Sequence, residues 1–418
     1  MRKKVLITGP ILTQSGYGVH ARTIYRALKT REDIFDIYIS PINWGNTSWQ
    51  WEDDDERREI DQIIGKTQAY RNADGNFDLN LMVTIPPEWA QYRLGAENIG
   101  ITAGIESSRV AANWITAGNN FVEKIIVPSS FSKKTYEDTI YAVESPESED
   151  YKKVELSTPI EVINYPVKKY NKVDLAIDLE YDFNFLVVVQ WSIRKNLENT
   201  IRWFVEEFID QEVGLVIKTN IVSNSIMDKY HTEKRLHGLL AQYPERKCKV
   251  YLLHGYLNND EVHSLYLHPK IKTLLSLTHG EGYGLPIFEA AYCGLPVVSH
   301  DWGGQMDFLY MPNKEKQKAF FTKVDYDLNN IQPEAVWEGV LEKDSMWAFP
   351  KQGSSKMKMR KAYKEHSRLK SRAKKLQKYL LKEFSEKKIY EKVVSSLVSE
   401  EEYDVEAWLT SLEIEEHD

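Results

Sequence analysis

The residues best suited to chemistry lie in one stretch, His279-Gly280-Glu281-Gly282-Tyr283-Gly284-Leu285-Pro286-Ile287-Phe288-Glu289-Ala290. It follows an apolar run with the makeup of a strand. Three glycines punctuate it before Pro286, a residue that a helix accepts in its first turn. Glycines let backbone N–H groups come close to a bound group, and the start of a helix favours anionic oxygens. Glu281 falls in the loop and Glu289 one turn into the helix, both toward the same side. Ionised carboxylates accept charge-assisted hydrogen bonds from hydroxyls, so the pair suits a sugar or a ribose diol. A tight turn with a helix-capping glutamate would use the same residues.

A second cluster, Gln190-Trp191-Ser192-Ile193-Arg194-Lys195-Asn196, follows another strand-like run and places two cations where a helix begins. A diphosphate needs positive charge or a metal to bind and to leave, and here side-chain charge and helix dipole would act together. A solvated helix cap is the plainer reading.

The loop, the pair Glu281 and Glu289 with seven residues between, and the following Ala-Tyr-Cys-Gly-Leu-Pro-Val-Val resemble the signature of glycosyltransferase family 4, the group 1 set of retaining GT-B enzymes. The resemblance runs from the N-terminus to about Leu397. It implies that Glu281 and its loop (His279, Gly282, Tyr283, Gly284, Leu285) hold the donor sugar and that Glu289 holds the ribose hydroxyls. Family members carry a lysine that matches Lys195. Many have an arginine five residues earlier, where this chain has Gln190, which leaves open whether Arg194 takes over. Trp302-Gly303-Gly304 is similar to further family context, as a ligand-facing backbone or a plain loop.

The first half opens with Gly9-Pro10-Ile11-Leu12-Thr13-Gln14-Ser15-Gly16-Tyr17-Gly18, whose spacing is not the dinucleotide G-x-G-x-x-G pattern and argues against an NAD enzyme. It resembles the family's first loop, which implies that Gly16 and Gly18 face the donor diphosphate across a cleft. His20 follows at the helix start, where a lone histidine is more often structural. Thr102 to Arg109, then Trp114 and Pro128-Ser129-Ser130, resemble the family's acidic loop, tryptophan and strand end. That implies that Glu106 orients the acceptor or the transferring sugar; a helix cap is the alternative.

Glycosidases flank the scissile bond with two carboxyls. Glu281 and Glu289 share one loop-helix unit and are poorly placed for that, so the family's front-face route is expected, with Glu281, Lys195 and Glu106 as the catalytic set. The leaving phosphate would take the acceptor's proton while sitting in preorganised positive charge. No metal and no cofactor beyond the nucleotide-sugar donor are expected. Asp325-Tyr326-Asp327 has Asp-x-Asp spacing and Asp53-Asp54-Asp55 is an acidic run, but neither follows a strand convincingly.

The elements that must position these residues alternate along the chain, short β-rich runs with longer amphipathic ones, as in parallel-sheet α/β proteins. Strands are expected at 4–8, 34–39, 79–84, 98–103, 124–127 and 160–163, then at 183–189, 214–218, 249–253, 272–277 and 296–299. Helices are expected at 19–29, 130–141, 196–209, 226–243, 260–267 and 286–292. The expected fold is α/β of GT-B type: two Rossmann-like doubly wound domains, an acceptor domain at 1–172 and a donor domain at 173–385, facing a cleft. A helical acidic segment at 386–418 is expected to cross back to the first domain.

A chain of 418 residues suits two domains, and its formal charge of −8 gives no general attraction to nucleic acid or anionic membranes. Two cysteines, Cys248 and Cys293, make neither a disulfide framework nor a metal cluster, which fits a reducing compartment. The start, Met1-Arg2-Lys3-Lys4, runs into too few apolar residues for a signal core, and no later run nears the roughly 20 residues of a membrane span. A soluble, cytoplasmic protein is expected. One local exception is the basic tract at 351–388, which has three readings: a solvated face, contact with DNA, or contact with a membrane surface carrying a lipid-linked acceptor. The acceptor is accordingly left among a glycan, a lipid-linked glycan and a modified DNA base. A nucleotide-sugar epimerase of the same fold and a non-catalytic carbohydrate- or nucleotide-binding protein are the rival functions.

Overall fold

The apolar runs of each half pair into a six-stranded parallel sheet in the computed structural model, which describes residues 2–45, 47–144, 151–314 and 316–398. The first half runs through β1 (Lys3–Gly9), α1 (Gly16–Lys29), β2 (Phe35–Pro41), α2 (Asp55–Asn72), β3 (Phe77–Val83) and β4 (Gly95–Ile101). It continues through α3 (Ala112–Phe121), β5 (Lys124–Val127), α4 (Ser130–Asp138), the antiparallel pair β6 (Tyr141–Glu144) and β7 (Tyr151–Val154), and β8 (Ile160–Val162). Its sheet has the order β2-β1-β3-β4-β5-β8. Val5, Leu6 and Ile7 of β1 are all fully buried. Such a run, apolar on both faces, is what a parallel strand covered by helices on both sides requires.

The second half begins at β9 (Asn184–Val188) and proceeds through α5 (Leu197–Phe208), β10 (Gly214–Lys218), α6 (Ile226–Leu240), β11 (Lys249–Leu253), α7 (Asn259–Tyr266) and β12 (Ile271–Ser276). Then come α8 (Leu285–Tyr292), β13 (Val297–Ser299), α9 (Met306–Leu309), β14 (Tyr310–Asn313), β15 (Lys316–Ala319) and β16 (Thr322–Lys323). Its sheet order is β11-β10-β9-β12-β13-β16. α5 shows why these segments choose helix. Leu197, Ile201, Phe204, Val205 and Phe208 are all buried, and they repeat at the spacing that puts them on one face. The antiparallel pair β17 (Tyr326–Asn330) and β18 (Met346–Pro350) follows, and the segment between its strands reaches the first half. Ser108 N–H donates to the Met346 carbonyl at 2.8 Å, and Trp114 Nε1 donates to the Gly339 carbonyl at 2.9 Å.

Three helices end the described chain: α10 (Gln352–Lys364), α11 (His366–Glu383) and α12 (Glu386–Ser395). The stripe Leu369, Ala373, Leu376, Leu380 and Phe384 is buried in the second half. Past it, Ile389, Tyr390, Val393, Val394 and Leu397 join the core of the first half, alongside Ile24 and Leu28 of α1. The chain therefore passes between the halves twice, and Val167 N–H donates to the Phe384 carbonyl at 2.7 Å where the two passages meet. The acidic residues 399–418 lie outside the described residues. No described helix is long and apolar enough to cross a membrane.

The expected strands of both sheets are present, with ends shifted by a few residues. Helices α2 and α3, and the single turn α9, were not foreseen. α2 is polar along most of its length, and its first turn is capped by Asp54, whose side chain accepts from Arg57 N–H; the acidic run at 53–55 is thus a helix start. α3 begins at Ala112 without a side-chain cap. Asp325 and Asp327 serve structure as well: Ser354 Oγ donates to Asp325 at 3.1 Å, and Lys351 pairs with Asp327 at 2.7 Å.

Candidate active site

Parallel sheets of this kind bind ligands beyond the carboxyl ends of their strands, at the point where strand order reverses. In the second sheet that point lies between β9 and β12. The segment after β9 carries Arg194 and Lys195, and the segment after β12 carries Glu281. Backbone bonds lock the two segments together: His279 N–H donates to the Arg194 carbonyl at 2.7 Å. Asn196 adopts φ 51°, a left-handed conformation that asparagine tolerates, and its side chain donates to the Leu277 carbonyl at 3.0 Å. This bend leaves Lys195 pointing into a cleft of about 810 Å³ between the two sheets.

Four charges meet there. Lys195 Nζ lies 2.5 Å from Glu281 Oε1, Arg194 lies 3.6 Å from Glu281 Oε2, and Arg194 also reaches Glu106 of the first half at 3.3 Å. Arg194 further donates to the Gly280 carbonyl at 2.8 Å. Burial works against ionisation of Glu281, yet Lys195 and Arg194 hold its pKa below the usual carboxylate range. Burial, then the Arg194 charge, pull the Lys195 pKa down. Arg194 is stabilised as a cation against burial by Glu106 and Glu281. An arriving anion therefore meets cations already desolvated and fixed in place, the condition under which electrostatic stabilisation is strongest.

Gly282, Tyr283, Gly284 and Leu285 line the cleft beside this cluster. Gly284 caps α8 at φ 90°, which favours glycine; Pro286 has no N–H, and the Ile287 and Phe288 N–H groups donate to the Gly284 carbonyl at 3.0 and 2.9 Å, which leaves the N–H groups of Gly284 and Leu285 to meet a ligand. The other two glycines of the loop have a different reason from the ligand approach expected of them. A Cβ on Gly280 would lie 2.0 Å from the Glu106 carbonyl oxygen, and one on Gly282 would lie 2.4 Å from the Ala103 oxygen. They admit the backbone of the first half. Ser129 Oγ completes the seam by donating to the Gly282 carbonyl at 2.6 Å. Gly303 and Gly304 make room within the second half instead: a Cβ on Gly304 would lie 2.0 Å from the Gly282 carbonyl oxygen and one on Gly303 2.9 Å from that of Glu281, and Gly304 N–H donates to the Glu281 carbonyl at 2.8 Å.

The remaining expected residues divide. Gly16 lines the cleft with open space where a side chain would stand. Gly18 does not line it: a Cβ there would lie 2.2 Å from the Thr13 oxygen, so this glycine serves the tight turn into α1. Glu289 is half-buried, outside the cleft lining, with Tyr266 OH donating to its Oε2 at 2.8 Å. Burial raises its pKa, against the bond from Tyr266 and the charge of Lys168. His279 is packed behind the loop, stacked on Trp347 at 5.2 Å, with Nδ1 2.7 Å from the Ala348 carbonyl and Nε2 3.2 Å from the Gln332 amide. It does not line the cleft. His20 is buried beside Tyr165 at 4.9 Å and does not line the cleft.

No residue of the basic tract lines the cleft. Several of its cations are engaged within the second half: Lys356 with Glu206 at 2.5 Å, Arg360 with Glu207 at 2.6 Å, and Arg372 with the Ala319 carbonyl at 2.6 Å. What the sequence reading missed is the segment between β2 and α2. Trp44, Thr47, Ser48, Gln50 and Glu52 form part of the cleft wall. Three tryptophans within a polar stretch, at 44, 49 and 51, were the available signal.

Comparison with known proteins accords with this geometry. Residues 184–322 match the family described as glycosyl transferases group 1. No curated protein matches the sequence. Among solved structures, sucrose-phosphate synthase from Thermosynechococcus elongatus superposes with a TM-score of 0.63 at 12% identity, covering 95% of this chain and 98% of that one. A glycosyltransferase from Rickettsia africae gives 0.58 at 12% identity, covering 94% and 99%. Anabaena HepE in complex with UDP and glucose gives 0.57 at 12% identity, covering 95% and 99%. At such identities the likeness is one of fold. Residues 184–322 thus match the group 1 glycosyltransferase family, and the chain as a whole has the GT-B fold.

Proposed function

We propose that this chain transfers a sugar from a nucleoside-diphosphate donor to a hydroxyl acceptor, with retention at the anomeric carbon and without a metal. The observation that carries the reading is the Lys195–Glu281–Arg194 cluster at the switch point of the second sheet, within the residues that match group 1. The diphosphate is assigned to Lys195, Arg194 and the N–H groups of Gly284 and Leu285 at the start of α8, which together supply the charge a metal would otherwise bring. Glu281, released from Lys195 as the phosphate takes its place, accepts hydroxyls of the donor sugar. Glu289 is assigned the ribose hydroxyls on the resemblance alone, with Tyr266 fixing one of its oxygens.

In the reaction the bond from the anomeric carbon to the diphosphate oxygen breaks. The acceptor oxygen bonds to that carbon from the same face, and the leaving phosphate oxygen takes the acceptor's proton. Glu106, held by Arg194 on the opposite wall, orients the acceptor or the sugar in transit. Cys248 and Cys293, both buried and unpaired, suit a reducing compartment, and we place the protein in the cytoplasm.

Nucleotide release from UDP-, GDP-, ADP- and dTDP-sugars, measured with and without EDTA, tests the reading. UDP-glucose heads the panel because the fold neighbour HepE was also solved with it. Release from one donor, unchanged by EDTA and abolished in Glu281→Ala, is expected. Activity that vanishes in EDTA and returns with Mn²⁺ overturns the metal-free mechanism.

A further inference from the structure

The two walls of the cleft differ in charge. On the second-half wall stand Arg194, Lys195 and Lys218 against Glu281. Lys218 donates to the Gly255 carbonyl at 2.6 Å and has no carboxylate partner among the described residues. The first-half wall carries Arg22, Glu52 and Glu106 as its ionisable acids and cations. Among the described residues its one cation is held in place: Arg22 is buried, and its Nη1 donates to the Ile11 and Thr13 carbonyls at 2.6 and 2.9 Å. An anionic acceptor would face the carboxylates of Glu52 and Glu106 there, with that buried arginine as the one cation among the described residues of the wall.

Most of the rest of that wall is hydroxyls, amides and aromatic rings. Trp44 lies against Tyr17, ring centroids 4.3 Å apart, and both line the cleft with Ser48 and Gln50. The segment is held in place by its backbone, since Gln14 N–H donates to the Ser48 carbonyl at 2.8 Å and Gln50 N–H to the Leu12 carbonyl at 2.7 Å. At the rim the aromatic surface continues outward. Trp51 is 69% exposed and Trp49 46%, an unusual amount of bare indole for a surface in water. Trp51 meets Tyr256 of the opposite half edge-on at 5.4 Å, and Tyr256 OH donates to Glu52 at 2.8 Å, so the rim pair stands at the mouth of the cleft.

Resting on the transferase reading above, we infer that the acceptor is an uncharged oligosaccharide, one ring lying on Trp44 inside the cleft and a further ring reaching Trp51 at its mouth. The C–H face of a pyranose is weakly positive and apolar and matches the negative face of an indole, while its hydroxyls find neutral donors and acceptors in Ser48 and Gln50 and an acceptor in the Glu52 carboxylate. The carboxylates accept from hydroxyls as well as they repel phosphates.

Saturation-transfer NMR on the full chain decides it, with lactose, maltotriose and chitotriose as neutral probes and glucose 6-phosphate and a hydroxymethylcytosine duplex as anionic ones. Spectra are recorded with and without UDP, GDP, ADP or dTDP, and stabilisation by each nucleotide is followed in parallel by thermal shift. A neutral oligosaccharide binds, and both Trp44→Ala and the rim variant Trp51→Ala weaken it about tenfold or more, whereas Trp337→Ala, an exposed tryptophan outside the cleft, does not. Binding of the anionic probes alone, binding of no saccharide, or neutral binding untouched by both cleft variants overturns the inference. Absence of stabilisation by any nucleotide strikes the transferase reading separately, because saccharide binding is read without it.

Discussion

Arg194 of the second domain reaches across the cleft to Glu106 of the first domain at 3.3 Å, while its neighbour Lys195 stays on its own side, 2.5 Å from Glu281. Two adjacent cations thus answer to different walls. Their removal should have different consequences.

Lys195→Ala leaves Glu281 with Arg194 alone and strips the diphosphate site of a fixed charge. A fall in kcat/KM of about two orders of magnitude or more is expected, and Glu281→Ala should match it. Steady-state kinetics with the donor found by nucleotide release checks both. A Lys195→Ala enzyme close to wild type would remove this lysine from the mechanism.

Glu106→Gln keeps the shape of the first-domain wall and deletes its charge. Arg194 retains Glu281, so the donor site survives, and donor KM should move by less than about threefold while kcat drops about tenfold. A change confined to donor KM would place Glu106 with the donor instead.

Gly282→Ala tests the seam between the domains. The new methyl would collide with the Ala103 carbonyl, 2.4 Å from an ideal Cβ, and neither backbone can yield cheaply. A loss of about 1–3 kcal/mol in urea unfolding, together with loss of transfer, is expected. Gly16→Ala, which has open space at its Cβ, should leave stability within about 0.5 kcal/mol of wild type.

Burial lowers the pKa of His279 from 6.5 to about 4. Between those values the native state binds fewer protons than the unfolded chain, so stability is complete above the upper value and falls as pH drops toward the lower one. Fully developed, the effect is about 3 kcal/mol. His20, lowered by burial to about 3, works in the same direction. Urea midpoints at about pH 7 and about pH 5 should differ, and less so in His279→Gln; equal slopes in the two proteins would contradict the assignment.

Much of the fold is legible in the sequence because the central strands of both sheets, such as β1, β3, β10 and β12, are largely buried and read as apolar runs. Gly214–Lys218 and Lys249–Leu253 have the expected ends. α2 escaped because Ile60 and Thr67 are the buried residues of its length, too few to mark a stripe, although Asp54 was a readable cap. At the site, the residue types at 194, 195 and 281 announced charge, but pairing across the cleft with Glu106 depends on the spacing of two domains, which no local pattern records. The glycines show the same limit. Gly280 and Gly282 advertised a close backbone approach, and the sequence could not say that the approaching backbone belongs to the first domain.

The double passage of the chain also constrains motion. The two crossings are bonded to one another through Val167 and Phe384. Away from them, Ser129 with Gly282, Ser108 with Met346 and Trp114 with Gly339 clasp the halves as well, so parting them must break these bonds besides bending the crossings. The indole of Trp51, edge-on to Tyr256 of the opposite half, is then a built-in optical reporter of whether the clasp holds.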